Sequence, residues 1–527
     1  MNLLMAASEN DGIRGAKVGG IGDVIRDVPP ELAKFGHYVT VLVPSYGFLH
    51  SLNESRWIAR VDFSFGGSLH QAEIYDVQGK SPVRGVRHLV LDHPALGSEK
   101  ARPSTSIYSF DPPHRPFATD ATRFALFCAA GAQAMVDGVF GPLDCIHLHD
   151  WHTAFLLVLR RYNPAVQVLK SIRTVFTIHN LALQGIRPFR GDASSLDAWY
   201  PDMSYDEGLL ADPRWTNCIN PMASAVRLAD VVHTVSPTYA DEILRPDKKP
   251  QYHGGEGLET DLNQARSHHR LFGILNGCPY DPETDTGRVE WPEAVERMTD
   301  AVIGWMGGKN ALLPAHFVAY ARLQSLLRMG RRPSVILTYV GRITEQKMYL
   351  MMQSGSDNRS GLEGILGHLK GRGIFIMLGT GDREYETALN DMASRFDHFV
   401  FLNGYSDACA SLLYREGDLF VMPSSFEPCG ISQMLAMRSG RPCLVHGVGG
   451  LNDTVQNRVN GFVFTGDTVT EQVDNFVRGY IEAVDIKQNH PDKWQKIQEQ
   501  AAASRFSWER SVREYMRDLY RFPSENE

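Results

Sequence analysis

Short, continuously apolar runs recur along this chain, and each is ended by a turn and followed by helix-like periodicity. In the first half they read "NLLMAA", "YVTVLVP", "CIHLH" and "TVFTIH". In the second half they read "VILTYVG", "IFIMLG", "FVFLNG", "DLFVMP", "PCLVHG" and "GFVFTG". Continuous rather than alternating apolarity suits strands covered on both faces, as in parallel sheets flanked by helices. At 527 residues the chain exceeds one ordinary domain, so the same α/β architecture is expected twice. The polar, glycine-rich stretch 245–270 reads as the hinge between the halves. Stretches 93–118, 278–293 and 353–361 read as loops. Two doubly wound domains that face each other leave a cleft at the carboxyl ends of their strands, where such folds bind ligands.

Composition removes several classes of function. The net charge is −8 and no block of Lys and Arg occurs, which disfavours nucleic-acid binding through a basic field. The seven cysteines are scattered without a CxxC pair, so neither a disulfide framework nor a zinc ribbon is indicated. The longest apolar stretch, "FALFCAAGAQAMV", is interrupted by Gln133 and falls short of the roughly 20 residues a membrane helix needs. The opening "MNLLMAASEN" lacks the basic segment of a signal peptide, and a reduced cytoplasmic location is expected.

The candidate chemistry lies just after the predicted strands. "KVGGIGDV" (17–24) is a glycine-rich turn opening a helix, suited to bringing backbone N–H groups to a phosphate. It lacks GxGxxG spacing, as do "GTGDRE" and "GVGGLND", and no GxxxxGK[ST] occurs, so neither a dehydrogenase fingerprint nor a P-loop is present. "HLHDWHT" (147–153) puts His147 and His149 on one strand face. No second ligand cluster has matching spacing, which leaves Asp150, at the strand end, as the more informative residue. His179 ends another strand. In "YVGRITEQK" (339–347), Arg342 and Lys347 put two cations beside a helix start, where they could hold a diphosphate or simply be solvated charges.

"SSFEPCGISQMLAM" (424–437) sets a carboxylate, Glu427, in a turn between a strand end and a helix start, where the backbone favours anions. After Gly430, residues Ile431, Met434, Leu435 and Arg438 fall at helical spacing and predict one packed face.

Together these pieces resemble bacterial glycogen synthases and plant starch synthases, retaining glycosyltransferases of the GT-B fold. The match continues through "TIHNLALQG", "LADVVHTVSPTYADEI", "GILNG", "LGTGD", "GVGGLNDTV" and "FSWERSVREYMRDLY". The resemblance implies two Rossmann-like domains, an acceptor-side domain over 1–265 and a nucleotide-sugar-binding domain over 266–504. A terminal helix over 505–527 would cross back to the first domain. It implies that Lys17 and the Gly19–Gly20 backbone meet the donor, Asp150 lies near the reacting sugar carbon and His179 contacts the sugar. Arg342 and Lys347 would hold the diphosphate, and Tyr405 would stack on the base. Glu427 would accept glucose hydroxyls beside Cys429 and Gly430, and Gly449 and Gly450 would add phosphate contacts. ADP-glucose or UDP-glucose is the implied donor, ADP-glucose favoured, and an α-glucan the acceptor. No metal or other cofactor, nucleic acid or membrane is implied.

Some positions depart from the family pattern. Met348 stands where QKG is usual, the stretch between Glu9 and Lys17 is longer, and Ala223 and Ala225 replace a lysine and a glycine. Leu183 stands where tyrosine is common, and "GILNGCPYDPETD" lacks an isoleucine-aspartate pair. These keep two alternatives open: a glucosyltransferase using a small sugar or polyol acceptor, and a catalytically weak glucan-binding relative.

Overall fold

The computed structural model describes residues 1–97, 107–280, 289–308 and 312–521. Parts of the stretches read as loops, 98–106 and 281–288, and the end of the terminal segment, 522–527, lie outside the described residues. The chain forms two compact units. The first comprises Met1–Asp247, Gly254–Gly277 and the segment from Trp508 onward; the second comprises Lys248–His253 and Cys278–Ser507.

The first unit is built on β1 (Asn2–Ala6), β2 (Tyr38–Pro44), β3 (Ser55–Phe65), β4 (Ser68–Val77), β5 (Val86–Asp92), β6 (Cys145–His149), β7 (Arg173–Ile178), the short pair β8 (Arg187–Pro188) and β9 (Cys218–Ile219), β10 (Val231–Thr234) and β11 (Leu271–Gly273). All but the short pair form one nine-stranded sheet in the order β11-β10-β7-β6-β1-β2-β5-β4-β3. From β11 to β5 the neighbours run parallel, whereas β3 and β4 add an antiparallel edge. In β3, Val61, Phe63 and Phe65 are buried while Asp62 and Ser64 are exposed. That period of two marks a strand covered on one face.

The second unit has β12 (Val335–Val340), β13 (Gly373–Gly379), β14 (Phe399–Asn403), β15 (Leu419–Met422), β16 (Cys443–His446) and β17 (Gly461–Phe464). They form a six-stranded sheet in the order β14-β13-β12-β15-β16-β17, parallel throughout. Every apolar run read from the sequence is a strand in one of these two sheets.

The stretch 245–270 is not a simple hinge. Residues Glu259–Ser267 form a helix with Leu262 and Ala265 fully buried in the first unit's core. Arg227 clasps Asp261 through both carboxylate oxygens, at 2.8 and 2.7 Å. β11 then extends the first sheet, so the units divide at 277/278 rather than at 265/266. At the other end, Trp508–Glu514 is α-helical and Tyr515–Tyr520 continues as π-helix. Trp508, Val512, Tyr515, Leu519 and Tyr520 are buried in the first unit's core. Phe506 packs instead in the second unit.

Candidate active site

Each sheet reverses its winding at one place, and the predicted residues stand at those places. In the first unit the chain moves from β1 to β2 on one side and returns to β6 on the other. The carboxyl ends of β1 and β6 therefore flank a switch point, the usual ligand position of doubly wound sheets. Glu9 follows β1 and Asp150 follows β6. In the second unit the reversal falls between β12 and β15. Arg342 and Lys347 follow β12, and Glu427 follows β15.

Asp150 is enclosed, and its backbone is strained, with φ +54° and ψ 178°. A non-glycine residue in this region costs on the order of 1–3 kcal/mol. The fold over-determines it: Asp150 N–H donates to Thr177 O at 2.9 Å, and its carboxylate accepts the His179 N–H at 2.7 Å. Burial pushes the carboxyl up to about 7; the N–H groups of His179 and Asn180 pull the other way, and the charge of Glu9 adds to the rise. Glu9 is itself buried and accepts N–H bonds from Val18 and Gly19 at 2.7 and 2.5 Å and the Tyr108 hydroxyl at 2.6 Å. The glycine turn expected to receive an anion therefore receives this carboxylate. Gly20 opens the helix Gly20–Lys34 and is exposed.

Lys17 lies in a web of charge. Its ammonium donates to Asp11 at 3.2 Å and Asp23 at 2.6 Å, Arg26 reaches both carboxylates, and Lys80 donates to Asp11 at 2.5 Å. Burial pushes the Asp11 carboxyl up, but the Lys80 hydrogen bond and the charges of Lys17 and Arg26 outweigh it and leave it below its ordinary value. Asp11 belongs to the lengthened stretch before Lys17, so that stretch supplies one of the lysine's two partners.

Two histidines of "HLHDWHT", His147 and His149, stack on each other, and His149 is hydrogen-bonded to His179. His147 and His149 share a face of β6 with ring centroids 4.3 Å apart. His149 Nδ1 lies 2.9 Å from His179 Nε2. Burial lowers His147 and His149 well below the ordinary histidine value and His179 to about 3. Among the described residues no group of three or more His, Cys, Asp or Glu is arranged to hold a metal ion. Elsewhere in the first unit a recess of about 400 Å³ is walled by Phe117 and Trp215, with Gln184, Arg214 and Glu256 as polar groups. Flat rings beside hydrogen-bonding side chains suit a sugar.

In the second unit Lys347 and Glu427 form an ion pair, both largely enclosed. The Ser424 hydroxyl also donates to Glu427, at 3.0 Å. Glu427 is held from behind by two glycines that open the helix Gly449–Thr454. Gly450 N–H donates to Glu427 O at 3.1 Å. A Cβ on Gly449 would lie 1.9 Å from Glu427 O, and one on Gly450 would lie 2.3 Å from Cys429 O. Only glycine permits this approach, and Gly449 also has φ +43°. The Gly450 N–H predicted for phosphate thus fixes the loop that carries Glu427 and Cys429. Arg342 is exposed on the turn after β12. Buried Tyr339 donates its hydroxyl to Arg342 O at 2.9 Å and so ties that turn down. Met348 is fully buried in the core of this unit.

The helix after Gly430 runs Ser432–Arg438 and buries Gln433, Met434, Ala436 and Met437. The predicted face of Ile431, Met434, Leu435 and Arg438 is thus rotated. Gln433 turns inward because its amide donates to Cys429 O and Gly430 O, at 3.2 and 2.9 Å, which satisfies a turn whose Gly430 has φ +75°. Tyr405 follows β14 at the edge of the sheet, two-thirds exposed (66%). Trp305 braces it by donating to Tyr405 O at 3.2 Å.

Sequence reasoning did not reach Glu9, Tyr339, Ser424 or Gln433. Glu9 carried one usable signal, its place directly after a predicted strand. Tyr339 and Gln433 act on backbone oxygens and Ser424 on the Glu427 carboxylate, contacts that only the folded chain displays.

Each unit is doubly wound, with carboxylates and cations at its switch point, as the sequence resemblance implies. A family model for the starch synthase catalytic domain matches residues 2–264, and one for glycosyl transferases group 1 matches residues 335–480. The glycogen synthase of Streptococcus equi subsp. equi (strain 4047) is 33% identical over 539 residues, covering 99% of each chain. That of Streptococcus agalactiae serotype III (strain NEM316) is 32% identical over 540 residues, covering 97% of each. The catalytic domain of starch synthase IV from Arabidopsis thaliana, solved with ADP and acarbose, superposes with a TM-score of 0.73 at 26% identity, covering 98% of each chain. A sucrose-phosphate synthase from Thermosynechococcus elongatus shares the fold, at TM-score 0.53 and 17% identity over 99% of this chain and 98% of its own. The chain belongs to the glycogen and starch synthase family of glycosyltransferases.

Proposed function

We propose that the protein transfers glucose from a nucleotide-glucose donor, ADP-glucose favoured, to the non-reducing end of an α-1,4-glucan with retention of configuration. The observation that carries this reading is the pairing of Lys347 with Glu427 beside Arg342 at the second unit's switch point, in a chain similar over its whole length to glycogen synthases. The starch synthase neighbour solved with ADP supports the choice of donor base.

In this reading Arg342 and Lys347 bind the diphosphate and stabilise the charge that grows on it as the glycosidic bond breaks. Glu427 accepts hydroxyl protons of the glucose, a task suited to an acceptor-only carboxylate. Tyr405 offers its exposed ring to the base, and Cys429, Gly430 and Gly449 line the donor's approach. In the first unit Asp150 and His179 face the sugar, and Lys17 with the Gly19–Gly20 turn meets the donor. The recess walled by Phe117 and Trp215 supports placing the glucan on this unit. Attack and departure on the same face of the sugar need no protein nucleophile, so catalysis is positioning and charge stabilisation. With two cations assigned to the leaving group, the reading also gives a metal ion no role.

The test is incorporation of labelled glucose into glycogen and into small sugars or polyols, from ADP-glucose and from UDP-glucose, with and without chelator. Transfer to glycogen, preferring ADP-glucose and unaffected by chelator, is expected. Transfer only to small acceptors would replace the acceptor assignment, and transfer to neither would favour a glucan-binding relative.

A further inference from the structure

The ring of His179 is hydrogen-bonded to a second imidazole rather than to a carboxylate. His149 Nδ1 and His179 Nε2 lie 2.9 Å apart, with the rings stacked at 5.2 Å and 30°. Both rings are neutral near pH 7, because burial lowers both well below the ordinary value. A neutral imidazole carries one N–H, so one ring donates and the other accepts.

The far side of His149 decides which. His149 Nε2 is enclosed and has no hydrogen-bond partner among the described residues. If His179 Nε2 donated, the single proton of His149 would sit on that Nε2, as a buried N–H with no acceptor. If His149 Nδ1 donates, the unmatched atom is an acceptor lone pair, the less costly omission. We therefore propose that His149 Nδ1–H donates to His179 Nε2 and fixes His179 as its Nδ1–H tautomer. His149 is then a positioning residue, and Nδ1–H is the group His179 offers to the sugar.

The rest of the stack holds His149 in place. His147 lies against it at 4.3 Å and is pinned at both nitrogens, Nδ1 to the Tyr520 hydroxyl at 2.8 Å and Nε2 to the Thr177 hydroxyl at 2.6 Å. The C-terminal segment thus reaches His179 through two packed rings. The use of Nδ1–H toward a sugar rests on the proposed function; the tautomer does not.

The experiment is a long-range ¹H–¹⁵N correlation at pH 7 on the full chain labelled with ring-¹⁵N histidine. The His179 signals are those lost in His179→Gln. A protonated Nδ1 and a bare Nε2 on His179 are expected, and a protonated Nε2 would overturn the proposal. His149→Leu removes the donor, and His149→Asn restores an N–H near the Nδ1 position. His149→Leu should mix the His179 tautomers and lower kcat about tenfold or more, with KM for the donor changed less than about threefold. His149→Asn should recover most of both. An unchanged His179 pattern and kcat in His149→Leu would refute the positioning role. If His149→Leu does not fold, the wild-type spectrum and His149→Asn decide. Absence of transfer by the wild-type protein would overturn the proposed function alone, since the spectrum is recorded without substrate.

Discussion

Asp150→Asn removes a charge from an enclosed position while keeping the planar shape and one acceptor oxygen. Burial moves the Asp150 carboxyl from 3.8 to about 7 against the pull of the His179 and Asn180 N–H groups. Between those values the folded protein holds a proton that the unfolded chain has released. Stability therefore falls as pH rises through that window, and the full cost of the ionised group is present above it. The shift of about 3 pH units, at about 1.4 kcal/mol each, sets that cost at up to about 4 kcal/mol. Asparagine carries no such charge and tolerates positive φ better than most residues. The stability advantage of Asp150→Asn should therefore grow by about 3 kcal/mol from pH 5 to pH 8. Glucose transfer should fall by ~10²-fold or more, the scale of single electrostatic groups in active sites. Opposite signs on stability and turnover mark a residue retained for chemistry. Denaturant unfolding of both proteins at pH 5, 6, 7 and 8, with transfer assays on the same preparations, measures both effects. A difference that stays flat with pH, or an Asp150→Asn protein less stable at pH 8, would refute the burial argument. Undiminished transfer would refute the assigned role.

Glu427→Gln leaves the Lys347 ammonium without its carboxylate, and a turnover loss of at least ~10²-fold is expected; near-normal transfer removes Glu427 from the site. Lys347→Ala strands the enclosed Glu427 carboxylate, so about 3–5 kcal/mol of stability should go with ~10²-fold of turnover. Adding Glu427→Gln to it should recover stability in denaturant unfolding but not activity. Arg342→Lys touches an exposed side chain, so stability should hold within about 0.5 kcal/mol while transfer falls, because a point charge does not replace a bidentate fork. Met348→Gly empties a core position and should cost about 3–5 kcal/mol without raising turnover; a gain in turnover would mean that Met348 displaces Lys347 and would favour the catalytically weak relative. Deleting 505–527 takes Trp508, Val512, Tyr515, Leu519 and Tyr520 out of the first unit's core, and a truncated chain that stays soluble and fully active would contradict that packing.

The sheets were legible because buried parallel strands need apolar residues on both faces, and such runs stand out at any position. The edge β3–β4 carries a weaker signal, since half of each strand is polar. In 245–270 polar composition concealed the spacing of Leu258, Leu262 and Ala265, which is what makes a helix there. Residue types at the switch points were legible for the same reason as the strands: a motif directly after an apolar run lands at a strand's carboxyl end. Partners were not legible, because pairing depends on which strands become neighbours. Nothing in the spacing of residues 347 and 427 shows that β12 and β15 lie side by side.

That pairing answers why a carboxylate stands in a turn whose backbone suits anions. A lone ammonium enclosed like Lys347 would be costly. Glu427 supplies the counter-charge, and Gly449 and Gly450 bring the backbone close enough to hold Glu427 in place. The first unit repeats the solution, with Glu9 on the Val18 and Gly19 N–H groups and Asp11 and Asp23 on Lys17. Each of these anion-receptive groups is matched by a carboxylate of the chain itself. A diphosphate that binds Lys347 then competes with a fixed carboxylate, and it succeeds only if the sugar takes that carboxylate's hydrogen-bonding capacity at the same time. On the proposed function, Glu427 would thereby couple recognition of the glucose to recognition of the phosphate. A nucleoside diphosphate without its sugar should then leave Glu427 on Lys347 and bind more weakly than the whole donor, and equal affinities in a binding titration would refute the coupling.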